Sequence, residues 1–101
     1  MFTTINIPKD LVPSIIKGLE GRLKELELEI KISEEKIKAF ETKYGFTTNV
    51  FLQKYSSGEL GDEEDYISWY GEVKFLEKAR EEYNKLTKVI QDIYRELSQG
   101  D

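Results

Sequence analysis

The sequence predicts a mainly α fold: an antiparallel hairpin of two long, coiled-coil-like helices joined by a short connector helix. A short N-terminal β-strand that pairs between chains precedes the hairpin. Three observations predict this. Ile16, Leu19, Leu23, Leu26, Ile30, Ser33, Ile37, Phe40 and Tyr44 follow one another at alternating steps of three and four, the spacing of an a/d seam. A second apolar stripe of similar period runs from Tyr66 to Leu97, with glycine-punctuated sequence between the two. Phe2-Thr3-Thr4-Ile5-Asn6-Ile7 is β-branched and aromatic, and it alternates Ile5 and Ile7 on one face against Phe2, Thr4 and Asn6 on the other.

Each element has a chemical reason. The strand spans 2–7 and stops at Pro8, which cannot donate to a ladder. A lone strand is unstable and no second strand-like run follows, so its partner is expected in another molecule. The first long helix is expected over 13–44, with Pro13 tolerated in the first turn and Gly45 as the left-handed residue after its end. Ser33 is a polar break in the seam. A capping box there needs Glu or Gln three residues on and finds Lys36, so one continuous helix is preferred. Leu28 and Ile32 lie off the seam as a second small stripe, which suggests more than one neighbour. Gly18 and Gly21 weaken the helix near its start, through close packing or through slack. A short helix over 47–57 is capped by Thr47 or Thr48 and closed by Gly58, with Phe46, Val50, Phe51 and Tyr55 packing on its neighbours. Asp62 is a natural N-cap for a final helix over 62–97. In that helix Phe75, Val89 and Tyr94 widen the apolar stripe, as expected for packing on both the partner helix and the connector. Residues 98–101 form a tail.

Composition narrows function further. The chain has 101 residues, enough for a single domain over 1–101, with neither Cys nor His. Zinc fingers, thiol chemistry, Ser-His triads and Glu-x-x-His di-iron sites are thereby excluded. Gly58-Glu59-Leu60-Gly61 lacks both the spacing and the lysine of a phosphate loop. No cofactor and no enzyme activity are expected. The lack of cysteine suits a reducing cytoplasm, and neither a secretory signal nor a membrane span is read. Acids outnumber bases 20 to 15, for a net charge of −5. The imbalance is local: residues 25–65 hold eleven acids and five bases, whereas residues 1–24 hold four bases and two acids. The run Asp62-Glu63-Glu64-Asp65 complements a helix dipole and also attracts a basic protein.

Two resemblances bear on partners. The strand, the Pro8-Lys9-Asp10 turn and the helix that follows resemble ribbon-helix-helix regulators over residues 2–12. That implies DNA readout through Thr4 and Asn6, with Lys9 nearby. The heptads run on where those regulators break, so DNA binding is disfavoured. More of the chain resembles small acidic archaeal and bacterial antitoxin-like proteins: Tyr44-Gly45-Phe46-Thr47, then Phe51, Tyr55, Gly58-Glu59-Leu60-Gly61-Asp62, Asp65-Tyr66 and Trp69. This resemblance implies a dimeric helical protein whose acidic surface masks a basic toxin, often a ribonuclease. From charge and aromatic character, Glu59, Asp62, Glu63, Asp65, Trp69 and Tyr70 are the expected partner-binding residues. Ile5, Ile7, Ile16, Leu19, Leu23, Leu28 and Ile32 are the expected dimerisation residues. The alternatives are a structural or chaperone-like coiled coil, similar in outline to prefoldin-like hairpins, and a ribbon-type DNA-binding autoregulator.

Overall fold

The computed structural model describes residues 6–99. Lys9–Leu11 forms a 3₁₀ turn after Pro8, closed by Leu11 N–H on the Pro8 carbonyl at 3.0 Å. It leads into helix α1, Val12–Tyr44, which runs 33 residues without a break. Gly45, at φ 77°, takes the left-handed conformation that ends α1 and donates back to the Glu41 carbonyl at 2.9 Å. Helix α2 is Thr48–Ser56, and helix α3 is Glu64–Gln99. Thr47 caps α2, its hydroxyl accepting from Val50 N–H at 3.3 Å, and Gly58 at φ 81° turns the chain afterwards.

Two expectations change here. The carbonyl of Glu63 accepts the first bonds of α3, from Tyr66 and Ile67, so Glu63 rather than Asp62 occupies the capping position. No strand is present among the described residues. Asn6 and Ile7 adopt no regular structure, and residues 2–5 of the expected strand lie outside the described residues.

α1 and α3 pack antiparallel along the heptad seam. Ile16, Leu26, Ile37, Val73, Ala79 and Ile90 are buried within it. Ser33 is buried too, at 1 % exposure. Its hydroxyl reaches Glu72 Oε1 at 2.9 Å and the Glu72 carbonyl at 3.2 Å, so the polar break in the heptads is satisfied across the seam. Polar links flank the seam on both sides. Arg22 forks onto both carboxylate oxygens of Glu82 at 2.8 and 3.0 Å, and Lys36 approaches Glu72 at 3.6 Å. On the other flank Arg80 pairs with Glu34, and the Tyr83 hydroxyl donates to Glu27 at 3.1 Å. Such exposed pairs each contribute ~0–1 kcal/mol, so their main effect is to fix which turn of α1 faces which turn of α3.

α2 folds back onto one end of this hairpin, hereafter the closed end, and supplies its densest packing. Trp69 and Phe51, both 0 % exposed, stack in parallel with ring centroids 4.0 Å apart. Phe40 and Phe46 also stack on Trp69, each at 5.6 Å, and Tyr44 at 6.1 Å. The indole is polar-satisfied as well. Its Nε1–H donates to Thr48 Oγ1 at 3.2 Å, and the Thr48 hydroxyl donates to Glu41 Oε2 at 2.8 Å. The same Glu41 oxygen accepts Thr48 N–H at 2.7 Å, tying α2 to α1.

The connector is only nine residues long, and its reach decides what stays exposed. Phe75, Val89 and Tyr94 were expected to pack on both neighbours; they are 44 %, 45 % and 50 % exposed, because α2 covers only the first turns of α3. Val50, on α2 itself, is 37 % exposed. Among the described residues no helix is long and apolar enough to cross a membrane.

Trp69 makes the closed end testable. Trp69→Ala removes the stacked ring and leaves a cavity, and the expected loss is ~3–5 kcal/mol of unfolding free energy, read by urea denaturation followed by circular dichroism. Trp69→Phe should lose less. A loss under ~1 kcal/mol for the alanine variant contradicts this packing role.

Candidate functional site

The closed end also gathers the acid. Residues 41–70 carry six acidic and two basic side chains, a net of −4, whereas the open end, 6–24 with 83–99, carries seven basic and four acidic, a net of +3. The molecule is therefore charge-polarised along its long axis.

Within the acidic turn the carboxylates divide into engaged and free. Glu59 pairs with Lys54 at 3.4 Å. Asp65 accepts from Lys43 Nζ and from the Tyr44 hydroxyl, both at 2.6 Å. These two bonds, the lysine's first, hold the Asp65 carboxyl below its ordinary range and raise Lys43 and Tyr44 above theirs. Asp62, Glu63 and Glu64 are exposed and form no ion pair among the described residues. They stand at the N-terminus of α3, where the helix dipole favours negative charge.

Beside these acids lies apolar surface. Glu63, Ile67, Tyr70 and Lys74 follow at helical spacing and share the outer face of the first turns of α3. Ile67 is 53 % exposed and Tyr70 37 %. Tyr70 is held in place by Tyr55, ring centroids 5.2 Å apart, and Lys74 Nζ sits 5.4 Å from its ring centre. A rigid aromatic beside free carboxylates is a composition suited to a protein contact.

Of the expected partner-binding residues, Glu59, Asp62, Glu63, Asp65 and Tyr70 gather at this end. Trp69 is a correction. It is fully enclosed by Phe51, Phe40 and Phe46 and presents nothing to a partner. Ile67 takes its place as the neighbouring exposed apolar residue, and its isolation from the heptad stripe was the available sequence signal.

The expected dimerisation residues separate. Ile5 lies outside the described residues. Ile16 is buried and Leu19 and Leu23 are half-buried in the seam, so α3 of the same chain occupies the position expected of a second copy. Leu28 and Ile32 are 60 % and 43 % exposed. Ile7 is 39 % exposed at the open end, on a groove of about 860 Å³ bounded by Pro8, Val12, Ile15, Val89, Ile93 and Leu97. Of the expected DNA-contacting residues, Thr4 lies outside the described residues, while Asn6 and Lys9 are exposed on that groove. The unbroken α1 departs from the short first helix of ribbon-helix-helix regulators.

Comparison with protein-family models, curated proteins and solved structures finds no match for this chain.

The lowered Asp65 carboxyl has a signed consequence. A depressed folded-state value contributes stability that is complete above the unfolded value and is lost as pH falls through the folded one. Wild type should exceed Asp65→Asn in thermal midpoint at pH 7, and the gap should shrink below about pH 4. The shares of Lys43 and Tyr44, both raised, are present at neutral pH and lost only as alkali passes their raised values. A wild-type advantage that does not change between pH 7 and strong acid contradicts the assignment.

Proposed function

We propose that the chain is a non-catalytic, homodimeric protein-interaction module of antitoxin-like character, which binds and neutralises a basic toxin partner through its closed end. One observation carries this reading: Asp62, Glu63 and Glu64 form no ion pair among the described residues and stand beside exposed Ile67 and Tyr70 on a scaffold fixed by the Trp69 stack. Free carboxylates steer a cationic partner and raise its rate of encounter, while the tyrosine and isoleucine supply apolar contact once it has docked. The Tyr55 stack holds Tyr70 in advance, which lowers the ordering cost of binding. Asp65 and Glu59 take a supporting part, because each is already neutralised within the chain. The antitoxin-like pattern over 44–69 coincides with this same closed end.

The test is capture followed by function. The chain, used as bait in a lysate of its source organism, should retain a basic protein that arrests growth when expressed alone and is silenced by co-expression with this chain. Combined Asp62→Asn, Glu63→Gln and Glu64→Gln should slow association ~10-fold or more at low salt. Tyr70→Ala should speed dissociation. Absence of any basic partner contradicts the reading, as does a partner whose binding ignores both sets of changes.

A further inference from the structure

Ion pairs run along both flanks of the hairpin, which differ in the apolar side chains they leave exposed. One is a shallow surface lined by Glu27, Arg80, Tyr83 and Asn84 around a single isoleucine, Ile30. On the other, Ile32 and Phe75 line a depression together with Glu29, Ser33, Lys36 and Glu72, and Leu28 lies one turn before Ile32 on the same side of α1. Leu28, Ile32 and Phe75 are 60 %, 43 % and 44 % exposed among the described residues. One heptad beyond Phe75 on α3, Glu82 is bridged to Arg22, and a further heptad on Val89 is 45 % exposed.

Area gives the size of what is missing. The chain exposes 7863 Å², about 2,000 Å² more than the ~5,900 Å² expected of a compact monomer of its 11.8 kDa mass. Its radius of gyration is 19.2 Å, against about 13 Å for a compact chain of this length. Obligate homodimers bury roughly 1,000–2,500 Å² per chain, the same order as this excess.

We infer that the Leu28–Ile32–Phe75 flank is the interface with a second copy of this chain, packed antiparallel as a four-helix bundle. This rests on the homodimeric part of the proposed function and names its surface. Two features fix the orientation. Leu28 is the middle residue of α1, so a two-fold axis through the patch lays the full length of one hairpin along the other. The antiparallel arrangement then sets the open end, +3, beside the partner's closed end, −4; a parallel one sets −4 beside −4. Gly18 and Ala39 lie near the two ends of the same α1 face, and the space where a Gly18 side chain would stand is open. In the antiparallel bundle Gly18 of one chain stands opposite Ala39 of the other.

Sedimentation of the full chain at tens of micromolar should give about twice 11.8 kDa. Combined Ile32→Glu and Phe75→Glu should weaken dimerisation at least 100-fold and return the monomer mass with helical circular dichroism retained. Ile67→Glu, at the closed end, should leave the mass at twice the monomer. The chain has no cysteine, so mixing Gly18→Cys with Ala39→Cys chains should yield the mixed disulfide over either like pair. A wild-type monomer overturns the inference and the homodimeric part of the function together. A dimer indifferent to the Ile32 and Phe75 changes overturns the interface alone. Crosslinks of Gly18→Cys to itself and of Ala39→Cys to itself overturn the orientation.

Discussion

Everything else in this molecule depends on the parallel stack of Trp69 on Phe51. Two long helices sharing one seam bury a single narrow stripe each, and most of their surface stays wet. The connector changes that at one end. By returning Phe51 to within 4.0 Å of Trp69, with Phe40 and Phe46 also stacked on the indole, it builds a small three-helix core. The polar chain from Trp69 through Thr48 to Glu41 fixes the position of α2 in a way that apolar contact alone does not. Stability therefore runs in a gradient, highest at the closed end and lowest where α1 begins and α3 finishes.

That gradient gives the surface chemistry its meaning. The acidic turn sits on the most rigid part of the structure, so its free carboxylates and Tyr70 are presented in a fixed geometry. The exposed Leu28, Ile32 and Phe75 lie along the middle of the hairpin, where the proposed second copy would add burial. Charge follows the same axis, from a basic open end to an acidic closed end. In the proposed reading the elongated, polarised hairpin meets a basic partner at its tip and a second copy along its length.

Much of the fold was legible because its signals are local. The heptad spacing marks α1, Gly45 and Gly58 mark reversals through their positive φ, and Thr47 marks a cap. The legible part stops where the answer depends on how far another element reaches. Trp69 and Phe75 are both aromatic residues on the same helix, six apart and so about 120° round it; Trp69 faces the seam, where Phe40 and α2 enclose it, and Phe75 faces a side that α2 does not reach. Asp62 and Glu63 are both acidic, and a difference of one residue in where α3 starts is invisible to propensity. Ile16, Leu19 and Leu23 form an apolar seam equally suited to a second copy or to α3. A turn long enough to reverse the chain decides for α3. Ser33 was readable as a break in pattern, while its partner, Glu72, was not.

The central claim, that the aromatic closed end anchors the hairpin, is tested most directly by hydrogen exchange of the free chain, resolved along the backbone. Amides of α2, of residues 37–44 in α1 and of residues 66–76 in α3 should exchange slowest, near the rate set by global unfolding. Those before about residue 20 and after about residue 90 should exchange fastest, as expected for an end held only by the seam. Uniform protection along both helices, or slowest exchange at the open end, contradicts the account.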